Sequence, residues 1–424
     1  MPNVYIETYG CSANQAESEI MAGLLTSAGI NIVKNIKNAD IVIINTCYVK
    51  FPTEQRIFSR IKKIDKKLII AGCMPEAAYD KLIEIVPKAS LISTHHITDI
   101  VKVIKRILKG KRVELIGRKK EIKLCLPRIR KNPVIDIVPI ASGCTGDCSY
   151  CSVKFAKGEL FSYPKEMIIK EIKNSLKQGC KEIWLTSQDN AAYGLDNGKQ
   201  MLPELLRDIS KIPGKFFVRI GMMNPDNVKP ILSDLISSYN NKKIYKFLHL
   251  PVQSGDNDVL RKMNRKYKIQ EFEEIIKEFE NAFRIQLWTD VIVGFPGETD
   301  QQFRKTLELL KRVKPDWVNI SKYGVRKYTA ASKLKPLKSE IIKQRSKVVS
   351  NIVNILAFEK NKKWVNWKGD VLISKKGKKP GQWLGRNFAY KSVLINKRDK
   401  ILGKFLKVKI LEASPSYLLG WPLK

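Results

Sequence analysis

Residues 143–151 read Gly-Cys-Thr-Gly-Asp-Cys-Ser-Tyr-Cys. Cys144, Cys148 and Cys151 thus stand at C-x3-C-x2-C spacing, directly after an apolar run at 134–141 that reads as a strand. Iron–sulfur clusters are held by cysteine thiolates, and a complete protein cage for a four-iron cube takes four of them. Three thiolates on one tight loop hold three corners and leave one iron open to a small molecule, which turns an electron carrier into a catalyst. The competing readings are a structural zinc site with a distant fourth ligand, or three buried thiols. Structural zinc sites pair cysteines at short spacing with a second pair further on. No such second pair follows here, so the spacing favours a cluster.

Upstream, 4–9 reads as a strand ending at Gly10-Cys11, and a helix over 14–28 follows with Ile20, Leu24 and Leu25 on one face. The run Ile41-Val42-Ile43-Ile44 leads into Asn45-Thr46-Cys47. After a further amphipathic helix, Leu68-Ile69-Ile70-Ala71 leads into Gly72-Cys73. This is βαβαβ, an open α/β sheet. Cys11, Cys47 and Cys73 each fall just past a strand's C-terminal end, the edge at which such sheets bind ligands. The topology would gather them, against the bland reading of three unrelated buried thiols. Cys125 and Cys180 have no partners at useful spacing and read as incidental.

Downstream, strands at 134–141, 181–187, 215–221, 245–251, 286–293 and 316–321 alternate with helices near 164–178, 201–211, 226–238, 257–283 (broken) and 299–313. Six βα units suggest a partial barrel with its chemistry at the C-terminal strand ends. The polar residues expected there include 186–190, Arg219, His249, 251–255, 294–298 and Arg326. Each has a plainer reading: Asp189 or Asn190 as a cap, Gly297-Glu298-Thr299 as a turn and helix start, His249 as a hydrogen-bonded core residue. There is no Walker-type loop and no G-x-G-x-x-G. A basic helix spans 338–362, and 363–424 alternates short apolar runs with Gly and Pro, the pattern of a small β-barrel. Trp364, Trp367, Trp383, Phe388 and Tyr390 are interleaved there with Arg386, Lys391 and Lys397, a composition suited to stacking splayed RNA bases as well as to filling a core.

The 424 residues carry 78 Lys+Arg against 41 Asp+Glu, a formal net charge of +37. Such a surplus favours a polyanionic partner, although a lysine-rich proteome would also produce one. A proteome bias spreads charge evenly, whereas residues 101–131 carry 13 basic and 2 acidic residues and 364–424 carry 14 and 3. Nucleic acid is the better reading. No apolar run reaches membrane length and no charged-then-apolar leader begins the chain, so a cytoplasmic protein is expected, in which eight cysteines suit metal binding more than disulfides. The expected units are 1–120, a basic linker 121–133, a barrel 134–337, a connecting helix 338–362 and a small barrel 363–424.

Taken together, these segments resemble a radical S-adenosylmethionine (radical-SAM) methylthiotransferase from end to end. The similarity rests on Thr8-Tyr9-Gly10-Cys11, Asn45-Thr46-Cys47, Gly72-Cys73, 143–151, 249–255 with Arg261, Met263 and Arg265, and 290–299. Residues 185–189 followed by Ala192-Tyr193-Gly194 are similar to the archaeal and eukaryotic branch, which acts on N6-threonylcarbamoyladenosine next to the tRNA anticodon. The resemblance implies an N-terminal α/β domain, a partial (β/α)6 radical-SAM barrel and a C-terminal RNA-binding barrel of the TRAM type. It implies two 4Fe–4S clusters: one on Cys144, Cys148 and Cys151 that binds S-adenosylmethionine and yields a 5′-deoxyadenosyl radical, and one on Cys11, Cys47 and Cys73 that presents the sulfur to be transferred. A second S-adenosylmethionine would supply the methyl group. Tyr150, Gln188, Asp189, Arg219 and Gln253 are the expected cofactor contacts. The partners implied are tRNA, gripped at the anticodon arm by the basic linker and the C-terminal barrel, and an electron donor; a monomer without membrane association is expected. Other tRNA adenosines, a ribosomal-protein aspartate, or non-catalytic RNA binding are the alternatives. Two positions depart from the family pattern: Lys327-Tyr328 replaces Pro-Gly after Arg326, removing a rigid turn, and Asp256 replaces a Ser.

Overall fold

The computed structural model describes residues 1–49 and 51–423. Six strands, Asn3–Thr8 (β1), Asn31–Ile32 (β2), Ile41–Thr46 (β3), Lys67–Gly72 (β4), Ser90–Ser93 (β5) and Glu114–Leu115 (β6), form one sheet in the order β2-β1-β3-β4-β5-β6. All its pairings are parallel. β3 is buried along its whole length, as a central parallel strand covered on both faces must be. One face packs against helices Ser12–Ser27 and Ile100–Leu108 through Ile20, Leu25, Val103 and Ile104. The other packs against Phe51–Ile61 and Tyr79–Ile85 through Ile57, Phe58 and Leu82. Because β2 and β3 flank β1 on opposite sides, the strand order reverses there, and such a switch point opens a crevice beyond the strand ends.

The chain then enters Ile135–Pro139 (β7), a short antiparallel pair Ala141–Ser142 (β8) and Phe161–Ser162 (β9), and the strands Glu182–Thr186 (β10) and Phe217–Ile220 (β11). Phe247–His249 (β12), Gln286–Val293 (β13) and Trp317–Lys322 (β14) complete the middle of the molecule. Two parallel sheets, β7-β10-β11 and β12-β13-β14, are joined by a bridge between Val218 and Ile244, giving the six-stranded partial barrel expected from the sequence. Ile183, Leu185, Val218, Leu248 and Val291 point to the outer helices and form the largest core. The alternate residues Trp184, Arg219, Phe247, His249, Trp288 and Asp290 line the lumen, where their rings and hydrogen bonds meet.

The helix Ser339–Lys362 packs Val349 and Val353 into that core and buries Arg345 against Glu298 at 2.8 Å. It leads to Lys368–Lys376 (β15), Gln382–Arg386 (β16), Ser392–Asn396 (β17), Phe405–Ala413 (β18) and Leu418–Pro422 (β19), a closed barrel of order β15-β16-β17-β19-β18. This barrel closes the floor of the larger one. Tyr390 enters between Tyr245 and Phe247 with ring centroids 4.9 and 4.8 Å away.

Two expectations are resolved here. The aromatics, read as suited to stacking RNA bases as well as to filling a core, fall mostly on the core side: Trp364 and Trp383 are buried in the small barrel with Trp367 and Phe388 packed against them, and Tyr390 is buried against the larger barrel. A closed five-stranded barrel has an interior that large side chains must fill. Lys391 is also internal, bonded to Asp316 and Asn361. The linker at 121–133 is likewise not a free basic strand. Lys123 is buried on Glu17 at 2.7 Å, Arg128 reaches Asp136 and Glu171 at 3.0 Å each, and Arg130 reaches Asp136 at 2.8 Å. These cations seam the N-terminal sheet to the barrel. Exposed charge lies on Lys102, Lys105, Arg106 and Lys109, opposite the buried face of their helix, and on Lys111, Arg112 and 118–120 beyond it. Among the described residues no helix is long and apolar enough to cross a membrane.

Candidate active site: two cysteine triads and the strap between them

β1, β3 and β4 are neighbours in the sheet, and Cys11, Cys47 and Cys73 follow their C-terminal ends. Gly10 adopts φ +112°, and a Cβ there would lie 2.4 Å from Cys47 Cβ and 2.9 Å from its Sγ. Only glycine lets the Cys11 loop come this close. Asn14, on the helix after Cys11, donates to Asn45 Oδ1 (3.2 Å) and the Thr46 carbonyl (2.8 Å) and accepts from Cys11 Sγ (3.2 Å). Cys47 and Cys73 are buried while Cys11 is exposed, so the triad opens on the Cys11 side. Burial pushes the Cys73 thiol up to about 12 and raises Cys47 as well. Thiols in such a place ionise only against a strong positive partner, which a metal centre supplies.

The second triad sits on the loop bracketed by β8 and β9. Gly143 adopts φ +77° with the Glu159 carbonyl oxygen 1.8 Å from where a Cβ would be, which fixes the loop's neck. The loop is tied to the end of helix Asn257–Lys262: Ser149 N donates to the Met263 carbonyl (3.0 Å) and Asn264 Nδ2 to the Asp147 carbonyl (2.8 Å). Backbone N–H groups of Gly146 and Val153 point at the sulfurs of Cys144 (3.3 Å) and Cys151 (3.4 Å), and Arg265 Nη1 points at that of Cys148 (3.4 Å). Such donors favour thiolate over thiol. Burial outweighs them in the metal-free protein and leaves the Cys144 thiol raised to about 11 and Cys151 to about 12.

The residues just after each triad touch. Ser152 Oγ donates to the Tyr48 carbonyl (3.3 Å), and helix Val153–Lys157 packs on Met74–Ala77, which begins right after Cys73. From that helix Lys157 Nζ reaches Glu17 (2.8 Å) and Thr94 (2.6 Å), and Lys123 meets the same Glu17. A second connection is the strap after β14. Buried Arg326 pairs with Glu54 and lies over the Tyr48 ring at 4.6 Å, and Ala331 N donates to the Ser149 carbonyl (2.8 Å). The turn after Arg326 survives the loss of Pro-Gly: Tyr328 takes φ +68°, and Thr329 N and Oγ1 both donate to the Arg326 carbonyl, at 3.2 and 2.7 Å.

Among the described residues no three His, Cys, Asp or Glu side chains converge as ligands of one metal ion. A cube offers three separate irons, so its thiolates need not converge. Three cysteines on adjoining strand ends, and three on a loop where a Cβ at Gly146 would lie 3.4 and 3.8 Å from the Cys144 and Cys148 sulfurs, suit a cluster better than a single zinc.

The other expected contacts divide. Tyr150 packs against Val259, Met263, Ile292 and Phe295 beside the cysteine loop. Gln188 follows β10 at the rim, its buried Oε1 without a hydrogen-bond partner among the described residues. Gln253, φ +68°, is bridged to Val291 just beyond β12. Asp189 instead serves the protein: it accepts from Ala191 N (3.1 Å), Asn224 N (3.0 Å) and Asn227 Nδ2 (2.7 Å), the capping role that was its plainer reading. Its burial lifts the carboxyl to about 6. Arg219 is not at the rim. Its guanidinium lies 5.0 Å from the Phe247 ring, 5.2 Å from Trp184 and 5.5 Å from Tyr390, on the lumen floor. Asp256 caps the helix at 257–262 through Asp258 N and Val259 N. Lys157, which bonds beside the first triad, carries no distinguishing sequence signal beyond following the cysteine motif, whereas Arg265, which meets Cys148, belongs to a stretch that carries the resemblance without a role read from it.

An open α/β sheet and a partial (β/α)6 barrel with a three-cysteine loop at its strand ends define a radical-SAM protein with an extra N-terminal domain and a C-terminal barrel. Comparison with known families agrees. Residues 3–94 match the Uncharacterized protein family UPF0004, 138–310 the Radical SAM superfamily and 368–423 the TRAM domain. A probable threonylcarbamoyladenosine tRNA methylthiotransferase of Pyrococcus abyssi is 44% identical over 99% of both chains. The threonylcarbamoyladenosine tRNA methylthiotransferase of Homo sapiens is 34% identical over 99% of this chain and 74% of its own. Among solved structures, the radical S-adenosylmethionine methyltransferase TsrM from Kitasatospora setae shares the fold, with TM-score 0.58 and 12% identity over 78% of this chain and 75% of its own. The chain belongs to the threonylcarbamoyladenosine tRNA methylthiotransferase family.

Proposed function

We propose that this protein is a tRNA methylthiotransferase that places a methylthio group at C2 of N6-threonylcarbamoyladenosine beside the anticodon. The observation that carries this reading is the pair of cysteine triads, each short of a full cage, whose loops are tied to one another by Ser152–Tyr48 and by the strap. Cys144, Cys148 and Cys151 would hold one cluster and Cys11, Cys47 and Cys73 the other. Bound there, with S-adenosylmethionine, the first supplies the electron for the radical cleavage that an unactivated C–H bond demands, and the second a site for sulfur.

The chain's own residues then bind and orient. Arg265 sets a fixed positive charge against Cys148 and is itself held through Asn224, which Asp189 anchors. Asp189 is thus a positioning residue. Gln188 offers a free acceptor at the rim and Gln253 a backbone turn, both suited to an amino-acid-like moiety. His249 Nε2 meets Asp290 at 3.2 Å, and Asp290 accepts from Asn319 at 2.5 Å, a polar set within the lumen. The basic face of helix Ile100–Leu108 and the exposed Lys378, Lys379, Arg398 and Lys400 of the C-terminal barrel suit an RNA backbone. They favour tRNA over a ribosomal-protein substrate. The test is reconstituted protein with S-adenosylmethionine, reductant and a tRNA carrying N6-threonylcarbamoyladenosine. Methylthiolation of that tRNA, and none of a matching tRNA with plain adenosine, is the expected result; loaded clusters with no product would overturn it.

A further inference from the structure

The strap after β14, like the Ser152–Tyr48 contact, reaches residues beside both cysteine loops. Through Arg326 it touches Tyr48, next to Cys47; through Ala331 it touches Ser149, next to Cys148 and Tyr150. Between these two anchors lies Tyr328, 73% exposed and at φ +68°. A tyrosine in the left-handed region is strained where glycine would not be. The ring is only lightly held: among the described residues its hydroxyl meets Asp80 alone, at 3.5 Å. Phe51, Val49 and Val325 are exposed nearby, with Gly324 against Phe51 so closely that a Cβ would lie 3.0 Å from Phe51 Cβ. Around this apolar patch the strap carries exposed Lys322, Lys327, Lys333 and Lys335, and 317–339 contains no acidic residue. An exposed aromatic and apolar surface among cations suits an unpaired nucleobase with its phosphates.

We propose that Tyr328 is a substrate-positioning residue whose ring stacks on an unpaired base of the RNA loop as that loop enters between the two triads. A base must leave its stack for chemistry on its edge, and an exposed ring on the strap beside both cysteine loops would hold the RNA loop open. This inference rests on the function proposed above.

The test uses the full-length reconstituted protein, an RNA stem-loop containing N6-threonylcarbamoyladenosine, and 2-aminopurine at neighbouring loop positions. Wild type quenches 2-aminopurine at one position on binding. Tyr328→Gly, which relieves the backbone and folds with an unchanged or higher melting temperature, loses that quench and binds about 5- to 100-fold more weakly, the range of one stacked base. KM rises more than kcat falls, and Tyr328→Phe restores both binding and quench. Unchanged binding and quenching in Tyr328→Gly, or no rescue by Phe, overturns the role of Tyr328 while leaving the proposed reaction intact. A wild type with loaded clusters that neither binds nor modifies the stem-loop overturns both.

Discussion

At the scale of single residues, the cysteines were the most legible part of this protein, because their spacing and their places after strands state their chemistry without help from tertiary structure. Lys157 was not, because an isolated cation next to a motif looks like any of the 78 in the chain, and Arg265 stood out only within a resembling stretch, since its contact with Cys148 spans 117 residues. Arg219 and Asp189 were misplaced for a related reason. A polar residue near a strand end is expected at the rim, but one register step decides between rim and floor, and a carboxylate followed by a tight turn is readily drawn into capping. The two triads are expected to act separately. Cys144→Ala and Cys47→Ala should each reduce iron to that of one cluster and abolish product, while tRNA binding persists in both. Iron assay and filter binding check this, and loss of tRNA binding alone would count against the division of labour.

At the scale of elements, strands and helices of the two α/β units followed the apolar periodicity closely, while β5 and β6 escaped it. β6 is a two-residue edge strand and β5 a four-residue inner strand buried throughout, and neither is long enough to show an alternating pattern. The C-terminal aromatics show the reverse limit: composition identifies a small barrel but does not say which rings face inward. The elements are locked together by buried charge. Arg326 and Glu54 are both nearly inaccessible, and without Arg326 the Glu54 carboxylate keeps only the longer pair with Lys81 at 3.6 Å among the described residues, so Arg326→Leu should cost about 3 kcal/mol in denaturant unfolding. The double variant Arg326→Leu/Glu54→Leu should recover much of that loss. Glu17 makes a pH-dependent lock. Burial resists its ionisation, but Lys123 and Lys157 prevail and bring it from the ordinary 4.5 to about 2. A depressed carboxyl stabilises fully above its unfolded value and progressively less below it. The cluster-free protein should therefore lose stability between about pH 4.5 and about 2, and Glu17→Gln should flatten that part of the profile.

At the scale of the molecule, the N-terminal sheet supplies one cysteine triad, the partial barrel the other, and the C-terminal barrel closes the floor through Tyr390. That division was legible from the order of motifs. The linker was not, since a run of basic residues reads as a solvated or RNA-facing segment, whereas here Glu17 and Glu171, brought from distant positions, and the nearby Asp136 neutralise it. Its work is to hold the two triads in one frame. The claim on which everything else depends is that this frame performs one reaction on one nucleoside. The most direct measurement is nucleoside mass spectrometry on tRNA from a host lacking the activity, with and without the intact gene. The account predicts that 2-methylthio-N6-threonylcarbamoyladenosine appears only with the gene; no new methylthio nucleoside, with both clusters shown to be loaded, would contradict it.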